Sequence, residues 1–374
     1  MSFSSFHGNA QVVRQMREAL ARQRFPHGVI LTGPAGAGKY TLALMMAQAM
    51  NCMSPETALR QTALRTNDGL PDFCGVCSNC ARIGLAADLD ARFAEAVEAR
   101  EALREADKKE TRILVQTHPD VLVIPPDPPQ MLVKVDQVRR VIANIYYRPA
   151  EARERVYVFT TSAFMKEAAN SLLKILEEPP EFATLFLLAE NPVALLPTIR
   201  SRCVTFTLAP LEHSAIEEDL AQIHPEWTAA QRTLVTRLSG GAVGRARSFD
   251  LAAYTAARAN ALAVLASALQ GNDHSALFKI TETYRAGADG RDKTEHLLRT
   301  LYSLLEDLLW LLEGTPELVR NTDIARDLGK LAQASSFAWV QEASERLAEV
   351  ERGMRRNLLR SLSLDAFATA LERA

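Results

Sequence analysis

No apolar run in this sequence is long enough to cross a bilayer. The longest apolar-rich stretch, residues 297–312, is interrupted by Arg299, Glu306 and Asp307, and it falls short of the ~20 residues that a spanning helix needs. Charge of one sign is also lacking: 43 Lys+Arg against 45 Asp+Glu leave a formal net charge of −2. That balance excludes binding nucleic acid by bulk positive charge, so any such contact must be local. The opening Met1-Ser2-Phe3-Ser4-Ser5-Phe6-His7 has neither the basic start nor the apolar core of a signal peptide, and a cytoplasmic chain is expected. Internal repeats and low-complexity linkers are missing as well. What remains is an ordinary globular composition, 48% hydrophobic and 24% charged, over 374 residues. That length gives room for two to three domains at ~150 residues each.

The first 210 residues alternate short apolar runs with helical patterns, which predicts a parallel sheet wrapped by helices. Strands are expected at Gly28–Thr32, Val121–Ile124, 156–159, 185–189 and 204–206, with a helix over about 39–50. Their continuous apolar character fits a sheet covered on both faces. Between the first two strands lies an insertion. Its first part, 51–83, carries four of the five cysteines. Its second part, 85–112, is rich in Ala, Glu and Arg, with i,i+4 pairs such as Glu101–Glu105 and Glu105–Lys109, and predicts an exposed helical arm with a solvated charged face. Beyond Pro210 the pattern is all-helical: a small segment over 211–252 is broken at Gly240-Gly241, and a helical domain follows over 253–374. There Leu297, Leu298, Leu301, Leu304, Leu305, Leu308 and Leu312 form a broad apolar stripe that Gly314 and Pro316 end.

The segment Gly33-Pro34-Ala35-Gly36-Ala37-Gly38-Lys39-Tyr40-Thr41 follows a predicted strand and precedes a predicted helix. In that context G-x-x-x-x-G-K cradles phosphates on backbone N–H groups, with the lysine reaching the terminal ones. A tight strand-to-helix turn is the plainer alternative. One position departs from the pattern: the Ser or Thr that holds Mg²⁺ is replaced by Tyr40, and Thr41 lies about 100° further round the helix. The strand at 156–159 runs into Thr160-Thr161-Ser162, and the next carboxylate is Glu167. A hydrolysing enzyme needs acids there to anchor the metal and position water. These residues therefore predict nucleotide binding without turnover.

Cys74-x-x-Cys77-x-x-Cys80 puts three thiols on one tight loop, and Cys52 at the end of the preceding helix can complete a tetrahedral Cys₄ site. Four thiolates suit structural Zn²⁺, with an iron–sulfur cluster as the alternative. A DNA-binding role for this segment is poorly supported, since Arg82 is opposed by Asp72 and Asp88. Cys203 stands apart and reads as a small buried hydrophobe. The arginines of Arg200-Ser201-Arg202 are either solvated or suited to a phosphate on a neighbouring subunit.

Taken in order, the Gly33–Lys39 loop, the cysteine quartet, His118-Pro119-Asp120, the segment from Asn170 to Pro180 that includes Leu172-Leu173-Lys174-Ile175-Leu176-Glu177-Glu178-Pro179-Pro180, and Ile199-Arg200-Ser201-Arg202-Cys203 resemble the bacterial sliding-clamp loader subunits of the AAA+ class, in the delta-prime branch of DNA polymerase III. The resemblance covers about residues 5–250 by motif and the rest by architecture. It implies a P-loop (AAA+) domain over 1–210 with an inserted zinc module, a helical lid over 211–252 and an all-α collar over 253–374. It further implies that Arg202 is an arginine finger for the ATP of a neighbouring subunit, and that Arg245 in Gly244-Arg245-Ala246 is a phosphate contact of the lid. Thr160-Thr161 fall where the hydrolysing gamma/tau subunits carry Asp-Glu. The implied partners are gamma/tau and delta subunits in a five-membered ring, the beta sliding clamp and, through the assembly, primed DNA. A long Cys52–Cys74 gap and the 85–112 insertion depart from the family pattern.

Overall fold

The computed structural model describes residues 2–54, 64–65, 68–270, 275–284, 288–355 and 360–371. They pack as two compact units, one of residues 1–212 with Gly241–Arg245, the other of His213–Gly240 with 246–374. The expected lid thus divides between them.

In the first unit the order is α1 (Ala10–Ala21), β1 (Gly28–Thr32), α2 (Lys39–Asn51), β2 (Leu64–Arg65), β3 (Pro71–Asp72), α3 (Ser78–Gly84), α4 (Leu89–Glu101), α5 (Glu105–Glu110), β4 (Val115–His118), β5 (Val121–Ile124), α6 (Val135–Ile145), β6 (Arg155–Phe159), α7 (Lys166–Glu177), β7 (Ala183–Ala189), α8 (Pro197–Arg200) and β8 (Val204–Thr207). Six strands form one sheet in the order β4-β5-β6-β7-β1-β8. All neighbours are parallel except β4, which runs antiparallel to β5. Along β1 successive side chains feed opposite cores. Val29 and Leu31 join Met46, Phe186 and Leu188 on one face; Ile30 joins Ile124, Phe159, Leu172 and Leu187 on the other. That two-sided burial is why β1, β5 and β7 read as unbroken apolar runs.

The sequence reading needs two corrections in this unit. The Val-Gln-Thr-His strand β4 is an edge strand with an exposed middle, so it carries no apolar run to announce it. The 85–112 arm is largely exposed, as expected, but it is tied down at a buried residue. It is two helices, α4 and α5, and its Arg100 is 9% exposed, with Nη1 3.2 Å from the Asp127 carboxylate. Asp127 in turn is 1% exposed and accepts the Ile113 N–H at 2.9 Å. On the solvent side Lys108 pairs with Glu105 and Glu101.

The second unit runs α9 (His213–Ile223), α10 (Ala229–Ser239), α11 (Val243–Arg247, shared with the first unit), α12 (Leu251–Gln270), α13 (Ser275–Glu282), α14 (Ala288–Leu312), α15 (Ala325–Ala334), α16 (Phe337–Arg355) and α17 (Arg360–Leu371). Gly240 ends α10 in the left-handed conformation at φ 60°, where a glycine has no Cβ to clash. The leucine stripe of α14 is its core: Leu297, Leu301, Leu304 and Leu308 are each fully buried. Asp307, expected as a charge breaking that stripe, is also buried. Its carboxylate accepts the backbone N–H groups of Arg320 at 2.7 Å and Asn321 at 2.9 Å, which locks the returning loop onto the helix. Among the described residues no helix is long and apolar enough to cross a membrane.

Candidate functional site

A cleft of about 670 Å³ opens at the carboxyl ends of β1, β6 and β7, lined by Gly36, Gly38, Lys39, Tyr40, Thr41, Leu89, Thr160, Thr161, Glu190 and Gly244 among others. This is where a parallel sheet presents its loops and helix N-termini to a ligand. The loop needs its glycines: Gly36 sits at φ 79°, and a Cβ there would lie 2.7 Å from the Arg245 backbone nitrogen. Gly244 donates its N–H to the Gly36 carbonyl at 2.9 Å, so the segment 241–245 rests directly on the loop. Lys39 folds back, its ammonium donating to the carbonyls of Gly33 at 2.6 Å and Pro34 at 2.7 Å. Burial lowers its pKa below the usual lysine value, and the Glu190 carboxylate draws it part of the way back.

Tyr40 turns toward the 85–112 insertion. Its ring packs against the buried core beside α2 and its hydroxyl donates to the Ala86 carbonyl at 2.6 Å. Thr41 lines the cleft, exposed. Thr160 and Thr161 line it too, with Thr161 Oγ1 accepting the Ala163 N–H at 3.1 Å. Of the expected phosphate contacts, Gly36, Gly38, Lys39 and Thr41 come together here. Gly33 contributes the carbonyl that holds Lys39. Arg245 packs its Cβ and Cγ over Gly36. Three contributors were missed in the sequence. Glu190 follows β7 with no motif of its own, and Ala86, which accepts from the Tyr40 hydroxyl, and Leu89 belong to an insertion with no motif.

Arg202 lies on the protein surface after α8. Its Nη2 is 2.6 Å from Glu177 Oε1, and its Nη1 donates to the Thr198 carbonyl at 2.9 Å. Cys203 packs its sulfur against Gly28, where a Cβ would lie 2.9 Å from it, and burial pushes its thiol up to about 12.

The four cysteines do meet. Cys52, Cys74, Cys77 and Cys80 place their sulfurs within 4.8 Å of one another, close to the about 3.8 Å between sulfurs of a tetrahedral zinc site. Cys52 follows α2 directly, and Cys77 and Cys80 sit at the start and in the first turn of α3. Backbone N–H groups point at sulfur: Met53 to Cys77 at 3.4 Å, Cys74 to Cys52 at 3.4 Å and Cys77 to Cys74 at 3.3 Å. The Cys80 thiol and the N–H groups of Cys74 and Ser54 bring Cys52 down to about 5, while Cys80 is raised. Sulfurs this crowded, with donors aimed at them, fit a bound cation. Of the expected segment 51–83, residues 55–63, 66 and 67 lie outside the described residues.

His118-Pro119-Asp120 is structural. Asp120 accepts the N–H groups of Ala150, Glu151 and Ala152 at 2.8, 2.9 and 2.9 Å, and its own N–H donates to His118 Nδ1 at 3.1 Å. The motif pins the loop before β6 to the end of β4.

The family model described as DNA polymerase III, delta subunit matches residues 8–212, more than half of the chain. The chain is 30% identical over 222 residues to DNA polymerase III subunit delta' of Pseudomonas aeruginosa, covering 59% of this chain and 54% of that one. It is 26% identical over 213 residues to DNA polymerase III subunit delta' of Bacillus subtilis, covering 57% and 51%. With DNA polymerase III subunit tau of Escherichia coli it shares 26% over 353 residues, 94% of this chain and 43% of the relative. The chain thus spans about half, or less, of the length of these relatives. On the match to its first unit, the chain belongs to the DNA polymerase III, delta subunit family, among the clamp-loader subunits.

Proposed function

We propose that this chain is a delta-prime-type subunit of the DNA polymerase III clamp loader, and that it acts as a non-hydrolysing stator of the AAA+ class. It joins gamma/tau and delta subunits in a hetero-pentameric ring in the cytoplasm, through the helices of 253–374. There it presents Arg202 to the ATP of a neighbouring gamma/tau subunit and helps place the beta sliding clamp on primed DNA. Its own cleft holds ATP or ADP through Gly33, Gly36, Gly38, Lys39, Thr41 and Arg245 without turnover. Zn²⁺ on Cys52, Cys74, Cys77 and Cys80 is structural.

One observation carries the non-hydrolysing reading: the Tyr40 hydroxyl is engaged by the Ala86 carbonyl at 2.6 Å, on the residue that should ligate magnesium. Thr160 and Thr161 at the end of β6 support it, since neither supplies the carboxylate that positions an attacking water. The test is clamp- and DNA-stimulated ATP hydrolysis by the reconstituted loader without this chain, with it, and with Arg202→Ala. Activity that needs the chain and is lost in an Arg202→Ala complex that still assembles supports the stator. An unaffected Arg202→Ala complex removes the finger and leaves ring architecture.

A second reading, an active AAA+ motor of the gamma/tau kind, is favoured by the complete glycine loop and by the match to tau over 353 residues. ATP turnover by the purified chain, removed by Lys39→Ala, would establish it.

A further inference from the structure

In a phosphate-binding loop that serves hydrolysis, magnesium bridges the terminal phosphates and offsets their charge. It is held by the hydroxyl that follows the lysine and by acids at a neighbouring strand end. In this cleft the hydroxyl belongs to Tyr40 and points at Ala86, and the end of β6 offers only Thr160, Thr161 and Ser162. The single carboxylate among the residues lining the cleft is Glu190. It directly follows β7, and the Thr32 hydroxyl at the end of β1 donates to its backbone carbonyl at 3.2 Å. The backbone of Glu190 is thereby fixed beside the point where the glycine loop leaves the sheet, with its side chain exposed at the cleft. Lys39 is the single cation among the same lining residues.

The charge balance of the cleft follows. Lys39, with Arg245 packed over Gly36 as the one other cation the site draws on, can serve a diphosphate. A third phosphate adds negative charge with no metal to offset it, in a cleft that already holds the Glu190 carboxylate. We propose that the cleft takes a nucleoside diphosphate without magnesium: Tyr40 withholds the metal's hydroxyl ligand, and Glu190 disfavours the third phosphate. The proposal rests on the reading of this cleft as a nucleotide site and names the ligand that site selects.

Calorimetric titration of the purified full chain with ADP and with ATP, each in EDTA and in excess Mg²⁺, tests it. In EDTA ADP should bind about tenfold more tightly than ATP, the scale of one like-charge contact in a half-exposed site, and excess Mg²⁺, which competes for the free nucleotide, should weaken both and strengthen neither. Glu190→Gln should close the gap between the two nucleotides. Tyr40→Phe keeps the ring packing and should likewise gain nothing from magnesium, whereas Tyr40→Thr should make ATP binding magnesium-dependent. Mg²⁺ that tightens ATP above ADP in the unaltered chain overturns the proposal and leaves the nucleotide site standing. So does a Glu190→Gln chain that loses a magnesium effect, which would make Glu190 a metal ligand. Absence of binding by either nucleotide overturns the site itself.

Discussion

Arg202 lies in an ion pair with Glu177, 2.6 Å away on a residue 25 positions earlier at the end of α7. Two further contacts, to the Thr198 carbonyl and the Ser201 hydroxyl, lay the guanidinium against its own chain. To reach a phosphate on a neighbour it must exchange this carboxylate for another anion, which a planar five-donor group does readily. The side chains are 34% and 49% exposed, so the pair contributes little to folding. Arg202→Ala should therefore change stability by about 0.5 kcal/mol or less, measured by urea unfolding. In a reconstituted loader the same substitution should lower stimulated ATP hydrolysis by at least about tenfold. A large loss of stability would mean that the arginine is structural.

The cysteine cluster should hold a metal through purification. Elemental analysis of the full chain should find about one zinc per chain, the stoichiometry of a four-thiolate site. Cys77→Ser should reduce that content and lower the thermal midpoint, because a structural metal contributes directly to folding. Retention of full zinc by Cys77→Ser would refute the assignment.

How far the sequence exposes this molecule depends on burial. Gly28–Thr32 and Val121–Ile124 are legible to the residue because both faces of the sheet are covered, and nothing polar interrupts them. Val115–His118 is not, because an edge strand with one solvated face carries no such run. The glycine loop and the cysteine quartet are legible because their chemistry requires fixed spacing. The tie of Arg100 to Asp127 spans 27 positions and leaves no periodicity, so this buried anchor of a largely exposed insertion is not legible. Glu190 gave no signal either; its meaning comes from β7 lying next to β1.

That tie gives a further expectation. Arg100→Ala leaves Asp127, 1% exposed, with the Ile113 N–H and a Lys134 ammonium 3.7 Å away. Removing one partner of a buried pair is costly, and about 3 kcal/mol of destabilisation is expected. A truly free arm would give no change by the same chemical denaturation.

Asp120 sets an acid limit. Burial pushes its carboxyl up, but the three N–H groups of 150–152 and Arg155 more than reverse this and hold it below the usual carboxylate range. A depressed carboxyl stabilises the fold above its unfolded pKa of about 4, and that contribution is lost as pH falls through the lower folded value. Asp120→Asn keeps one acceptor oxygen for three donors and should cost about 2 kcal/mol at neutral pH. Its stability should also fall less than that of the unaltered chain on acidification below about pH 4, followed by circular dichroism.

The helix Lys39–Asn51 carries the phosphate loop's lysine at its first residue and delivers Cys52 immediately after its last. Its length is therefore a fixed dimension. One residue added or removed would swing Cys52 about 100° around the axis and shift it about 1.5 Å along it, out of reach of the other three sulfurs. Insertions and deletions along it would break that register, beyond any cost of changing its buried side chains. Loop and cluster are cut to one ruler.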